Sequence, residues 1–142
     1  ILLSPIKKYK KPNNLSLNLI DSPDLAQTIA VTCMALKITV EITGLQTLKI
    51  KETDRILALN NELTKFGAKI KYDDSSIVIH PPKEIKKNIN IDTYNDHRMA
   101  LSLAPLGLIV PITINDPDVI SKSFPEYWNN LSQLGFNLKN LN

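Results

Sequence analysis

An internal repeat constrains this chain more than any other feature. Asp24 and Asp96 stand 72 residues apart, as do Ile42 and Ile114. Lys51 and Lys122 are 71 apart, the Asn60-Asn61 and Asn129-Asn130 pairs 69, and Gly67 and Gly135 68. A slowly drifting offset between residues of the same type marks a duplicated supersecondary unit, because each copy solves the same packing problem with the same elements.

The elements can be read in each copy. Leu15, Leu17 and Leu19 alternate with polar residues, and that period of two predicts a strand. The turn Asp21-Ser22-Pro23-Asp24 follows, with Asp24 as the expected N-cap of a largely buried helix over 25–36. A β-branched strand is expected over 39–42, closed by Gly44. Thr53 or Asp54 is expected to cap a helix over 55–66 with Ile56, Leu57, Leu59, Leu63 and Phe66 on its apolar face. Gly67 suits the C′ position. Segments 69–72 and 77–80 flank Asp73-Asp74-Ser75-Ser76 as a hairpin, which Pro81-Pro82 ends. The second copy restarts with a strand at Ile89 and Ile91. Asp96 is expected to cap a helix from 97 to about 108, followed by a strand at Ile112 and Ile114 and a helix over 124–134. The expected class is α/β (α+β), with one repeat at about 15–82 and a second at about 88–142 that stops before its hairpin.

Composition bounds the rest. A chain of 142 residues with 43% hydrophobic and 22% charged residues is about one globular domain. The longest apolar stretch, 100–114, is broken by Ser102, Pro105 and Pro111 and is too short to cross a bilayer, so no membrane partner is expected. No charged n-region, apolar run and cleavage site open the chain, so a cytoplasmic location is expected. A single cysteine, Cys33, excludes an internal disulfide, and with two histidines it nearly excludes a structural zinc site. The first residue is Ile rather than Met, so the chain reads as a piece of a longer parent.

The net charge of +3 hides a bias: of 17 basic residues 15 are Lys, and the two Arg are Arg55 and Arg98. In so Lys-rich a chain, a retained Arg is a candidate for gripping a planar carboxylate or phosphate through two parallel hydrogen bonds. The Lys residues form no stripe, and Lys7-Lys8-Tyr9-Lys10-Lys11 reads as a solvated loop, so no nucleic-acid partner is expected.

Both Arg fall at junctions of the repeat. One junction type is the strand-to-helix turn at Asp24 and at Asp96-His97-Arg98. The other is the connection at Lys51-Glu52-Thr53-Asp54-Arg55 and at Ser121-Lys122-Ser123. Loops at equivalent ends of a sheet point to one side, and helix N-termini there favour anions. Asp24, Lys51, Glu52, Arg55, Arg98 and Lys122 can therefore converge on one anionic ligand, with two carboxylates among cations suited to proton transfer. Plainer readings stand beside this: a capped, ion-paired helix start at 51–55, a cap with a solvated Arg at 96–98, and a surface Lys122. His80 and Cys33 read as structural, and Tyr127 and Trp128 as packing residues.

Lys51-Glu52-Thr53-Asp54-Arg55, Tyr94-Asn95-Asp96-His97-Arg98-Met99-Ala100 and Lys122-Ser123-Phe124-Pro125, in that order, resemble the C-terminal part of the EPSP synthase (3-phosphoshikimate 1-carboxyvinyltransferase) family. Pro23-Asp24 and the small-residue helix after it match the family's upstream turn, and the resemblance runs over about 17–136. It implies a two-domain parent, each domain built from three inverted β-α-β-α-β-β repeats around a cleft. This chain would be the last two repeats of the C-terminal domain. The missing N-terminal domain, which holds most of shikimate 3-phosphate, would be its partner.

The resemblance also implies chemistry. The 5-hydroxyl of shikimate 3-phosphate would add to C2 of phosphoenolpyruvate, and phosphate would then leave. Asp24 would be the base near that hydroxyl with Lys51 alongside, and Glu52 the acid that serves C3. Arg55 and Arg98 would clamp phosphoenolpyruvate, Lys122 would neutralise the leaving phosphate, and His97 would support its turn. Thr47 stands where many members carry Asn and is left outside the site. No metal or organic cofactor is implied, a monomer is expected, and the chain alone is expected to be inactive. The alternatives are the sister transferase that acts on UDP-N-acetylglucosamine, whose motifs differ, and a non-catalytic anion-binding module of the same fold.

Overall fold

The computed structural model describes residues 10–140. The first three residues of the Lys7 to Lys11 cluster lie outside them, while Lys10 and Lys11 are exposed.

Strands β1 (Asn14–Asn18) and β2 (Thr39–Thr43) pair in parallel, with Leu17 opposite Ile42. A parallel pair needs a crossover, and α1 (Ala26–Ala35) provides it. Its small and apolar residues bury Ala26, Ala30, Val31, Cys33 and Met34. Next come α2 (Arg55–Lys65), β3 (Lys69–Tyr72) and β4 (Ile77–His80). The hairpin turns back so that β4, not β3, lies against β2, giving the order β1-β2-β4-β3. Val40 faces Ile79 and Ile42 faces Ile77, and all four are fully buried. Each such aliphatic side chain contributes about 1.5–3 kcal/mol when withdrawn from water.

The order β-α-β-α then runs again in β5 (Ile89–Ile91), α3 (His97–Leu103), β6 (Ile112–Ile114) and α4 (Tyr127–Gln133). β5 and β6 form a separate two-stranded parallel sheet, Ile89 opposite Ile112 and Ile91 opposite Ile114. The two sheets share one core because the helices meet: α1 packs on α3, and α2 on both. Ala30, Met34, Leu59, Leu63, Met99 and Leu103 belong to a single buried cluster.

Three expectations are corrected. Asp24 caps no helix: a 3-10 turn (Pro23–Leu25) leads into α1, whose N-cap is Leu25, and no side chain caps it. Charged partners described below claim the Asp24 carboxylate instead. α3 ends at Leu103 and continues as a 3-10 helix, Ala104–Leu108, because Pro105 has no N–H to give the Leu101 carbonyl. The Tyr127 hydroxyl donates to that carbonyl instead, at 3.1 Å, and so pins α4 to α3. α4 starts at Tyr127 rather than at 124, since Pro125 disfavours a helical conformation at Phe124 before it.

Candidate active site

The start of α2 is where both repeats meet. Asp54 caps the helix by accepting the Leu57 amide at 3.0 Å, which fixes the direction in which Arg55 leaves the first turn. That direction is inward, and the Arg55 side chain is 1% exposed. Its Nε donates to Asp96 Oδ2 at 2.7 Å and its Nη2 to Asp96 Oδ1 at 3.3 Å, a fork on a carboxylate with no exposed surface. Asp96 Oδ1 also accepts the Arg98 amide at 2.9 Å and thereby caps α3. The outer edge of the same guanidinium meets two more carboxylates. Nη1 donates to Asp24 Oδ1 at 2.9 Å and Nη2 to Glu52 Oε2 at 2.5 Å.

Further cations gather on Asp24. Arg98 Nη2 lies 3.3 Å from Oδ2 and Lys51 Nζ 3.5 Å from Oδ1, and Arg98 Nη1 donates to the Asp24 carbonyl at 3.4 Å. Exposure divides the cluster in two. Arg55 and Asp96 are sealed, whereas the side chains of Asp24, Arg98 and Glu52 are 37%, 39% and 47% exposed. The sealed pair is a brace between repeats; the open group can exchange a protein partner for a ligand.

Partial burial pushes the Asp24 carboxyl up, but Arg98, Lys51 and Arg55 together outweigh it and hold the group below its ordinary value of 3.8. A depressed carboxylate stabilises the fold above its unfolded value, and the contribution is lost as pH falls through the folded value. Acid unfolding followed by circular dichroism should therefore show Asp24→Asn with less loss of stability below pH 4 than the unsubstituted protein. Identical acid profiles would mean that the three cations leave Asp24 untouched.

Glu52, Asp96 and His97 offer ligand atoms within 4.8 Å of one another, close enough for a metal ion by distance alone. The donor set does not fit one. Both Asp96 oxygens already accept hydrogen bonds, and the Arg55 guanidinium at their centre repels a cation. His97 Nδ1 stands 4.0 Å from Glu52 Oε1, at the edge of the group.

Five of the six residues singled out from the sequence therefore come together: Asp24, Lys51, Glu52, Arg55 and Arg98. Lys122 does not join them. It is exposed after the 3-10 turn Pro117–Ile120, and its side chain makes no hydrogen bond or ion pair among the described residues. Thr47 is exposed in another 3-10 helix, Gln46–Ile50. The sequence reading gave Asp96 only a capping role and passed over Glu62, a fully buried carboxylate on α2. A signal for Glu62 was present: it lies three residues after Leu59 and four before Phe66, on the apolar stripe. Two buried polar groups lack partners among the described residues, the Gln27 amide and the Thr93 hydroxyl.

The family profile described as EPSP synthase (3-phosphoshikimate 1-carboxyvinyltransferase) matches residues 5–131. A curated 3-phosphoshikimate 1-carboxyvinyltransferase from Bacteroides fragilis (strain YCH46) is 46% identical over 123 residues, 84% of this chain and 30% of the relative. One from Paraburkholderia phymatum is 44% identical over 119 residues, 82% of this chain and 27% of the relative. The solved EPSP synthase of Acinetobacter baumannii superposes with a TM-score of 0.70 at 24% identity, over 85% of this chain and 28% of that one. That likeness concerns the fold. This chain thus spans about 30% of the length of the curated relatives it matches. Profile, relatives and fold agree across the stretch that carries the Arg55 cluster, and by them the chain belongs to the EPSP synthase family.

Proposed function

We propose that this chain is part of a two-domain 3-phosphoshikimate 1-carboxyvinyltransferase and contributes the phosphoenolpyruvate side of its active site. The observation that carries the reading is the convergence of Asp24, Lys51, Glu52, Arg55 and Arg98 from three separate segments. The exposed cations suit an anion that bears both a carboxylate and a phosphate. Arg98 and Lys51 would take it from solvent, and the outer edge of Arg55 would complete the grip. Lys122 would reach the phosphate once the N-terminal domain of the parent closes over the site. Closure also excludes water and aligns the reacting atoms, so the chain alone would be inactive. The parent would work in the cytoplasm as a monomer.

The proton steps would fall to the two open carboxylates. The 5-hydroxyl oxygen of shikimate 3-phosphate bonds to C2 of phosphoenolpyruvate while Asp24 takes the hydroxyl proton and Glu52 gives one to C3. In the second step Glu52 recovers the C3 proton, the C2–O bond to phosphate breaks, and the proton held by Asp24 leaves with phosphate. Asp24 is a weak base while three cations hold it. An anion on Arg98 and Lys51 offsets those charges and restores its basicity as substrate arrives.

The test is phosphate release by the full-length parent supplied with shikimate 3-phosphate and phosphoenolpyruvate. Arg98→Lys keeps the charge and loses the planar fork. One charge-assisted bond is worth about 1.5–3 kcal/mol, so KM for phosphoenolpyruvate should rise roughly ten- to hundredfold. KM for shikimate 3-phosphate should change far less. An unchanged KM for phosphoenolpyruvate would return Arg98 to the role of a surface charge.

A further inference from the structure

We propose that Glu62 is a positioning residue for phosphoenolpyruvate binding, acting through the link that carries Asp96 and Arg98. The proposal rests on the function given above. Glu62 sits in the middle of α2 with no exposed side-chain surface. Its Oε1 accepts the Tyr94 hydroxyl at 2.7 Å, and its Oε2 lies 3.3 Å from the Asp92 amide, which donates to it. Lys65 Nζ stands 2.8 Å from Oε2 and balances the charge. The same ammonium also donates to Asp92 Oδ2 at 2.8 Å and to the Asn90 carbonyl at 3.1 Å. One carboxylate therefore holds both ends of 92–94, where β5 gives way to the turn into α3.

That turn needs holding. Tyr94 and Asn95 are consecutive left-handed residues, φ 55° and 54°; Asn tolerates that conformation, but a bulky aromatic in it is an outlier. Strain of this kind persists only where surrounding contacts over-determine it. Asp96 follows directly, and its buried fork with Arg55 and its cap of the Arg98 amide both depend on where the turn delivers it. Packing gives no reason for a carboxylate here. An apolar side chain would fill this face of α2 without the cost of burying a charge. What only the carboxylate does is accept from Tyr94 and Asp92 at once, which fixes the direction of the link and so of Arg98.

The experiment uses the full-length parent with Glu62→Gln and, separately, Tyr94→Phe, which removes a single hydroxyl and keeps the ring. Backbone hydrogen exchange is read over 92–98, with the amides of α2 as an internal reference. Exchange over 92–98 should quicken by about tenfold or more in both variants while α2 stays unchanged. In steady-state kinetics, KM for phosphoenolpyruvate should rise about tenfold for Glu62→Gln, while KM for shikimate 3-phosphate stays within about twofold. Exchange unchanged over 92–98, or quickened equally in α2, would overturn the proposal. So would equal rises in both KM values, since these report general loosening. Should Glu62→Gln fail to fold, Tyr94→Phe decides alone. Should the unsubstituted parent release no phosphate, the proposed function falls, and the exchange measurement still decides whether Glu62 positions the link.

Discussion

Arg55→Met in the full-length parent is expected to lower unfolding stability by about 3–5 kcal/mol, because it strands the sealed Asp96 carboxylate without its cation. Chemical denaturation measures this directly. Two comparisons give the number its meaning. Arg98→Met removes an equal charge from an exposed position and should cost within about 1 kcal/mol. Asp96→Leu combined with Arg55→Met removes both buried charges and should recover a large part of the loss, since the expense lies in the unpaired partner rather than in the missing bond. A midpoint for Arg55→Met no lower than that of Arg98→Met would show that the brace between repeats is not structural.

Glu52→Gln is expected to act on turnover instead. The amide keeps the shape and one acceptor for Arg55 but cannot shuttle the C3 proton. Loss of a positioned acid–base group lowers kcat by about 10²–10⁴-fold. KM for either substrate should move little if, as proposed, Glu52 serves the proton steps rather than binding. Stopped assays of phosphate release, run beside the denaturation curve of the same variant, separate this from misfolding. A kcat within about threefold of the unsubstituted enzyme would remove Glu52 from the chemistry.

The elements were legible wherever one local rule decided them. Leucine alternation marked β1, the Asp-Asp-Ser-Ser turn marked the hairpin, and Asp96 was readable as a cap, while the α2 cap was narrowed to Thr53 or Asp54, of which Asp54 serves. The misreadings have two causes: a distant partner outbid the local preference at Asp24, and prolines cut short the periodic runs of α3 and α4. Asp24 has the residue type and place of an N-cap, yet Arg55, 31 residues away, and Arg98, 74 away, claim it. α3 ends early because Pro105 acts four residues back, on Leu101. Five of the six candidate residues were legible as a set, through the two arginines at repeat junctions, but the inner division of the site was not. Nothing in the spacing says that Arg55 is sealed and Arg98 open, since burial depends on how α1, α2 and α3 pack. Glu62 was hidden for a related reason. Its place on the apolar stripe was visible, but whether the carboxylate could still reach water depends on how the helices pack.

Asp24 and Asp96 hold matching places in the duplicated unit, and a single arginine serves both. The copies have stopped being interchangeable. At position 96 the buried carboxylate both forks onto Arg55 and caps the first turn of α3, so that copy is locked to the architecture. At position 24 the side chain caps nothing and is 37% exposed, so that copy is open to a ligand. Of two aspartates in matching places, one thus holds the architecture and the other is left for a ligand. A redesign of this surface toward a different anion should start from position 98 and leave 24 and 52, the proposed proton carriers, together with 55 and 96 as they are.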